Sequence, residues 1–232
     1  MTGQVRTDGS AASTPTRVVH ETDAVAWLQD STLTDEHALV TSLPDSSELN
    51  LSFEAWQRWF TDTAELVCRA APPQGVAVFF QTDVKRDGVW LDKGFLVQLG
   101  ARAAGVELLW HKVVCRAPAG VTTRARPGYA HLLCFSRALR LLPTQASADV
   151  LPRLGEMTWA RAMGVQACEA TCQFLLDHTT CRTVVDPFCG MGSMLAVANA
   201  YGLHAIGIER SPKRAARARA LDLSAKLSAP GT

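Results

Sequence analysis

Residues 183–200 read TVVDPFCGMGSMLAVANA, and this stretch decides the fold. A short β-branched strand ends in Asp186, passes through a turn with Gly190 and Gly192 two apart, and enters a helix at Ser193. Glycine is needed in such a turn because the backbone reverses sharply and a ligand approaches where a Cβ would stand. About twenty residues beyond Asp186 a second strand, HAIGIE, ends in Glu209. A carboxylate at that tip can accept hydrogen bonds from both hydroxyls of a ribose. The helix that opens at Gly192 and Ser193 presents a positive N-terminal end, which favours a carboxylate nearby. Two glycines at this spacing also suit a dinucleotide site, but the fuller GxGxxG fingerprint is missing.

Working outward, short apolar runs alternate with longer helical patterns, which predicts an α/β sheet with helices on both faces. Strands are expected at 17–20, 38–42, 76–81, 106–114, 131–136, 183–186 and 205–209, about seven in all. Helices are expected at 23–29, 52–71, 93–104, 159–177, 193–201 and 211–226, several preceded by a Ser or Asp cap. The run APAGVTTRARPG at 117–128 reads as a loop between strands, and 142–155 as a second irregular stretch. Residues 1–15 and 227–232 read as tails, leaving 16–226 as one domain with its halves at 16–150 and 151–226.

At 232 residues with 47% hydrophobic content the chain fills one core. A net charge of +1 excludes a uniformly basic surface but leaves room for a local basic patch. Seven cysteines, mostly inside apolar runs, fit buried thiols in a reducing compartment. Cys168 and Cys172 lie four apart on a helical pattern, yet no second pair at zinc-site spacing accompanies them, so no metal is expected. With no signal-like or membrane-spanning apolar run, a soluble cytoplasmic or nuclear protein without membrane contact is expected.

DPFCGMGS, followed by an alanine-rich helix and GIE, resembles the DPFCGSGT loop of S-adenosylmethionine-dependent methyltransferases, particularly those acting on nucleic acids. The resemblance implies S-adenosyl-L-methionine as cofactor. Asp186, Pro187, Phe188, Gly190, Gly192 and Ser193 would hold its methionine part and Glu209 its ribose. Only about forty residues follow the loop, too few for the rest of such a sheet. The remaining strands must precede it, as in the circularly permuted order of class beta DNA and RNA amino methyltransferases. That order implies a three-layer Rossmann-like sheet, mostly parallel with one antiparallel strand. TRVVHETDAVAWL then resembles the strand with an acidic adenine contact, making Asp23 a candidate. Thr158 and Trp159 would open an extra cofactor-packing helix at 157–176, Trp159 being either a cofactor contact or core.

ALVTSLPDSSEL takes the position of the strand whose end receives the methyl acceptor. Amino methyltransferases carry there an Asp, Asn or Ser, two prolines and an aromatic ring that stacks on the base; this chain has Ser42, Leu43, Pro44 and Asp45. One proline and the ring are missing. Ser42, Asp45 and Asp83 are the catalytic candidates, the two carboxylates as proton acceptors or, equally, as turn and capping residues. Arg116, Arg124, Arg126 and Tyr129 are expected on the same rim, as phosphate contacts or as solvated charges. The pairs Asp92 with Lys93 and His111 with Lys112 are expected at element ends, where they line the cleft or stay on the surface.

These readings lead to a methyltransferase acting on nucleic acid. Because only about a dozen residues separate the last two early strands, too few for a base-reading domain, RNA (tRNA or rRNA, read largely through shape) is the expected partner. DNA amino methylation is the alternative. A non-catalytic subunit that binds RNA or a protein partner is a third reading, and homo-oligomerisation stays open.

Overall fold

The computed structural model describes residues 14–124 and 126–227; most of both expected tails lies outside these residues. In chain order the strands are β1 (Arg17–His20), β2 (His37–Thr41), β3 (Ala77–Gln81), β4 (Val84–Arg86), β5 (Val89–Leu91), β6 (Glu107–Cys115), β7 (Tyr129–Ser136), β8 (Val150–Leu151), β9 (Thr183–Asp186) and β10 (His204–Ile208). The helices are α1 (Ala24–Asp30), α2 (Phe53–Ala70), α3 (Lys93–Ala104), α4 (Val165–His178), α5 (Ser193–Ala200) and α6 (Pro212–Ala220).

Eight strands form the main sheet in the order β1-β10-β9-β2-β3-β7-β6-β8, while β4 and β5 make a separate hairpin. β7 alone runs against the others, pairing antiparallel with both β3 and β6. The expected seven strands thus become eight, because the two-residue β8 adds to β6 from within the stretch expected to be irregular. A strand that short carries no period to read.

The sheet is buried on both faces, which is why β3 (AVFFQ) is apolar without alternation. Its Ala77 and Phe79 pack with Leu28, Trp56, Phe60 and Leu96 of α1, α2 and α3. Val78 and Phe80 pack on the opposite face with Cys168, Leu175, Leu195 and Ala218 of α4, α5 and α6. α2 begins where Ser52 caps the Ala55 N–H, and its Trp56, Phe60, Thr63, Ala64, Val67 and Cys68 form one buried stripe.

Two expected helices are shorter. The one expected at 157–176 or 159–177 starts only at Val165, so Thr158 and Trp159 sit in the irregular segment before it. There Gly164 has no room for a Cβ, which would fall 2.0 Å from the Leu154 carbonyl oxygen, and the chain enters the helix only past that contact. The last helix ends at Ala220 instead of Lys226.

Sequence neighbours diverge at β9 and β2. From β9 the chain runs to β10 beside it, with β1 beyond; β2 leads to β3 on the other side. This is a topological switch point, and in open α/β sheets the crevice beyond the carboxyl ends of such strands receives the ligand. The Thr41 Oγ1–H donates across it to Asp186 Oδ1 at 2.8 Å, tying the two strand ends together.

Candidate active site

A cavity of about 370 Å³ opens at that switch point. It is lined by Asp23, Trp159, Asp186, Pro187, Phe188, Gly190, Ser193 and Glu209, from the ends of β1, β9 and β10 and the segment before α4, and by Ser42, Asp45, Asp83, Arg116 and Arg126, from the ends of β2, β3 and β6 and the link to β7. Residues far apart in sequence therefore converge on one crevice.

The glycine turn is shaped by close packing. Gly190 has φ +56°, and a Cβ there would fall 2.7 Å from the Trp159 ring, which lies against the loop. Gly192 has φ +83°, and a Cβ would meet the Ala218 backbone at 2.8 Å, so this glycine seats α6 instead of lining the cavity. Gly190→Ala should displace Trp159 and weaken binding of S-adenosylhomocysteine by about tenfold, read by calorimetry, with about 1–3 kcal/mol of stability lost in a denaturant titration. Thr158 lies outside the cavity wall, where its hydroxyl hydrogen-bonds that of Ser193 and fixes the first turn of α5.

Asp186 is 1% exposed and its Oδ1 accepts from Thr41 and from the Phe188 N–H (3.1 Å). Oδ2 has no partner among the described residues. Burial pushes the carboxyl up to about 7, the nearby Glu209 pushing the same way while the two hydrogen bonds pull it down. Glu209 uses Oε1 to accept the Ser211 N–H (2.8 Å), leaving Oε2 free among the described residues. Asp23 caps α1, its Oδ1 accepting from the Val25 and Ala26 N–H groups, and borders the cavity as well. A cation-hungry buried carboxylate beside a ribose-competent one suits an α-ammonium and a nucleoside, the two ends of S-adenosylmethionine.

Past the end of β2, Asp45 Oδ1 is 2.5 Å from the Lys93 ammonium, whose side chain is 4% exposed. Lys93, expected at a helix start either to line the cleft or to stay on the surface, lines the cavity, turned inward over the Phe60 ring. Asp83, offered as a proton acceptor, is occupied by donors. Its Oδ1 accepts the Lys93 N–H (2.9 Å), Oδ2 accepts from Trp90 Nε1 (3.1 Å) and the Tyr129 hydroxyl (3.3 Å), and His131 Nε2 lies 3.0–3.1 Å from both. Asp83, Asp92 and His131 place potential ligand atoms within 4.8 Å of one another, a group that these hydrogen bonds already account for.

Arg116 and Arg126 reach the rim as expected, Arg116 Nη1 donating to Thr82 Oγ1 at 2.9 Å. Arg124 and Tyr129 do not line the cavity; Tyr129 turns to Asp83 instead. His111 and Lys112 fall within β6, not at its end, and Lys112 is held by the Ser147 and Ala148 carbonyls. Asp92 caps α3 by accepting the Phe95 N–H. Cys168 and Cys172 are buried in α4, where burial pushes both thiols far up. Glu48, Trp59, Met157, Arg161 and Arg214 also line the cavity, and only the fold brings them there. Glu48 lies in the stretch ALVTSLPDSSEL and Met157 at the start of the helix expected at 157–176, but neither carries a role legible there, and Trp59, Arg161 and Arg214 sit in no motif.

No family model matches the chain, and no curated protein matches its sequence. Solved structures do match. PvuII DNA methyltransferase, which is cytosine-N4-specific, superposes with a TM-score of 0.70 at 17% identity over 90% of this chain and 88% of its own. TTHA0409 of Thermus thermophilus, assigned as a DNA modification methylase and crystallised with S-adenosyl-L-methionine, gives a TM-score of 0.67 at 18% identity, covering 87% and 91%. The M1.HpyAVI complex with SAM gives 0.59 at 14%, covering 88% and 98%. At these identities the likeness is one of fold. No helix among the described residues is long and apolar enough to cross a membrane. The chain has the Rossmann-like fold of the S-adenosylmethionine-dependent methyltransferases, in the permuted order that places the glycine loop late in the chain, between β9 and α5.

Proposed function

We propose that the protein is an S-adenosylmethionine-dependent methyltransferase acting on a nucleic acid, with DNA as the polymer and a base amino group as the acceptor. The observation that carries this reading is the pairing of Asp186 and Glu209 on one wall of the cavity with Ser42 and Asp45 on the other. The likeness to DNA methyltransferases supports DNA over RNA. Residues 16–150 then form the acceptor half of a single domain and residues 151–226 the cofactor half.

When bound, the cofactor supplies a methyl group on a sulfonium, an already activated carbon, so orientation contributes much of the rate. Asp186 would hold the α-ammonium through its free oxygen, and the positive N-terminal end of α5 at Ser193 would favour the carboxylate. Glu209 would hold the ribose hydroxyls. Phe188 and Trp159 exclude water from either side of the glycine loop. Ser42 sits at the end of β2 where the acceptor enters. Positive charge develops on the acceptor nitrogen, and the Asp45 carboxylate stabilises it and takes its proton through the oxygen that Lys93 leaves free. Lys93 fixes that carboxylate in place.

Lys93→Met should lower the transfer rate by about 10–100-fold, because Asp45 loses its anchor, while the S-adenosylhomocysteine dissociation constant changes less than about threefold. Asp45, the carboxylate left without its partner, is 42% exposed and stays solvated, so the variant should fold. A parallel fall in cofactor affinity would place Lys93 elsewhere in the scheme.

The reading is tested by incubating the protein with methyl-labelled S-adenosylmethionine and either duplex DNA or total RNA, followed by nucleoside mass spectrometry. Methylation of a DNA base amino group is the expected result. RNA is the second reading, favoured by the link between β6 and β7, residues 116–128, which carries no domain of its own. Label in RNA alone would select it, and cofactor binding without transfer to either polymer would select a non-catalytic subunit.

A further inference from the structure

Besides the buried Lys93 and the exposed Arg210, five cations line the cavity. Lys85, Arg116 and Arg126 have no carboxylate within 4.0 Å among the described residues. Arg161 and Arg214 instead share one carboxylate, that of Glu48, with Oε2 at 2.8 Å from Arg161 Nη1 and 3.9 Å from Arg214 Nη1. Arg214 also lies over the Trp159 ring, 5.6 Å from its centroid. The two arginines come from the segment before α4 and from α6, in the cofactor half; Glu48 comes from the short turn after β2, in the acceptor half.

Glu48 does not depend on the arginines for its position. Its Oε1 accepts the Asp45 N–H at 3.2 Å, and its own N–H donates to the Asp45 backbone carbonyl at 2.8 Å. The arginines keep their charge surplus: two guanidiniums face one carboxylate, and both stay well exposed, at 39% and 44%. Ion pairs this exposed are weak and give way to another anion. A phosphodiester offers two non-bridging oxygens in the fork geometry a guanidinium prefers.

We infer that Arg161 and Arg214 form a second phosphodiester subsite for the substrate strand, which the carboxylate of Glu48 occupies in the free protein. The inference rests on the nucleic-acid reading above. A strand crossing the mouth meets Lys85, Arg116 and Arg126 on one side of the acceptor nucleotide and the Arg161–Arg214 pair on the other. Glu48 competes with the phosphodiester and lowers affinity for every strand alike.

The test is an anisotropy titration of a fluorescein-labelled 12-nucleotide single-stranded DNA into the full chain saturated with S-adenosylhomocysteine, at two salt concentrations. Glu48→Gln should bind roughly 3–10-fold tighter than wild type, with a salt slope steeper by about one phosphate contact. Glu65→Gln, whose partner is Arg69 on α2, controls for net charge and should match wild type. In an Arg161→Met, Arg214→Met background Glu48→Gln should bring no gain. The same gain in that background, or no gain at all while Arg116→Gln with Arg126→Gln still abolishes binding, would overturn the subsite and leave the nucleic-acid reading standing. Absence of DNA binding by wild type and Glu48→Gln alike overturns both. The cofactor's carboxylate is another anion within reach. Loss of S-adenosylhomocysteine affinity of tenfold or more in the double arginine variant, with DNA binding unchanged, would assign the arginines to it and overturn the phosphodiester subsite.

Discussion

Asp186→Asn is expected to weaken cofactor affinity by about 10–150-fold while making the free protein more tolerant of high pH. The carboxyl is buried and held up to about 7, against about 3.9 in an unfolded chain. A group whose folded value is raised stabilises the fold fully below its unfolded value, and that contribution is lost as pH rises through the folded one. Three units correspond to at most about 4 kcal/mol, lost progressively between about pH 4 and pH 7. Asparagine keeps an oxygen that can accept from Thr41 and Phe188 but carries no proton to lose. In urea titrations at pH 5 and pH 8 the wild type should lose stability between the two, and the variant should lose much less. Equal losses would mean that Asp186 is not the buried acid. Cofactor binding should bring an ammonium to Asp186, lower its pKa and release protons between about pH 6 and 7, which calorimetry in buffers of different ionisation enthalpy resolves. Losing one charge-assisted hydrogen-bonding site costs about 1.5–3 kcal/mol, or about 10–150-fold in affinity.

The cofactor half is legible because its chemistry is local. Asp186, Gly190 and Ser193 lie within eight residues, and Glu209 follows one helix later, so strand, turn and acid are written in order. The strand pattern likewise revealed the sheet, and the late position of the loop revealed its order. The acceptor half is assembled across the chain. Lys93 meets Asp45 from 48 positions away, and a charged pair at a helix start gives no sign of which charge turns inward. The segment before α4 misled for a physical reason: Trp159, Ala162 and Met163 have the i, i+3, i+4 spacing of a helical stripe, but in the fold they line the cavity from an irregular segment. Asp83 misled in the opposite way. A carboxylate after a strand end suits catalysis, and the hydrogen-bond donors that occupy it come from β5, α3 and β7.

Those donors make Asp83→Ala the substitution expected to damage the acceptor half most. The side chain is buried, and removing it strips partners from the Lys93 N–H, Trp90 Nε1, the Tyr129 hydroxyl and His131 at once. The Lys93 amide and His131 are buried, while Trp90 and Tyr129 are partly open to water, so leaving the first two unpaired at about 1–3 kcal/mol each carries most of a loss of about 3–5 kcal/mol. Burial alone would raise the Asp83 carboxyl, but the hydrogen bond and charge of His131, with those of the Lys93 amide and Trp90, outweigh it and hold the pKa below the usual value. The sign is therefore opposite to that of Asp186: Asp83 stabilises the fold above about pH 4 and the contribution is lost as pH falls through its depressed folded value. Asp83→Asn keeps one acceptor oxygen and should cost about 1–3 kcal/mol, since its amide now opposes donors on one side. Hydrogen exchange should quicken at the Lys93 amide and the Trp90 indole in both variants, because the hairpin of β4 and β5 and the start of α3 are tied to the sheet through this carboxylate. Methyl transfer should fall in step with that loosening, through Lys93 and Asp45, with cofactor affinity unchanged. A general base would behave differently: Asp83→Asn would lose transfer while stability stayed within about 0.5 kcal/mol of wild type. That outcome would return Asp83 to the reaction; the expected one makes it the knot that sets Lys93 over the acceptor.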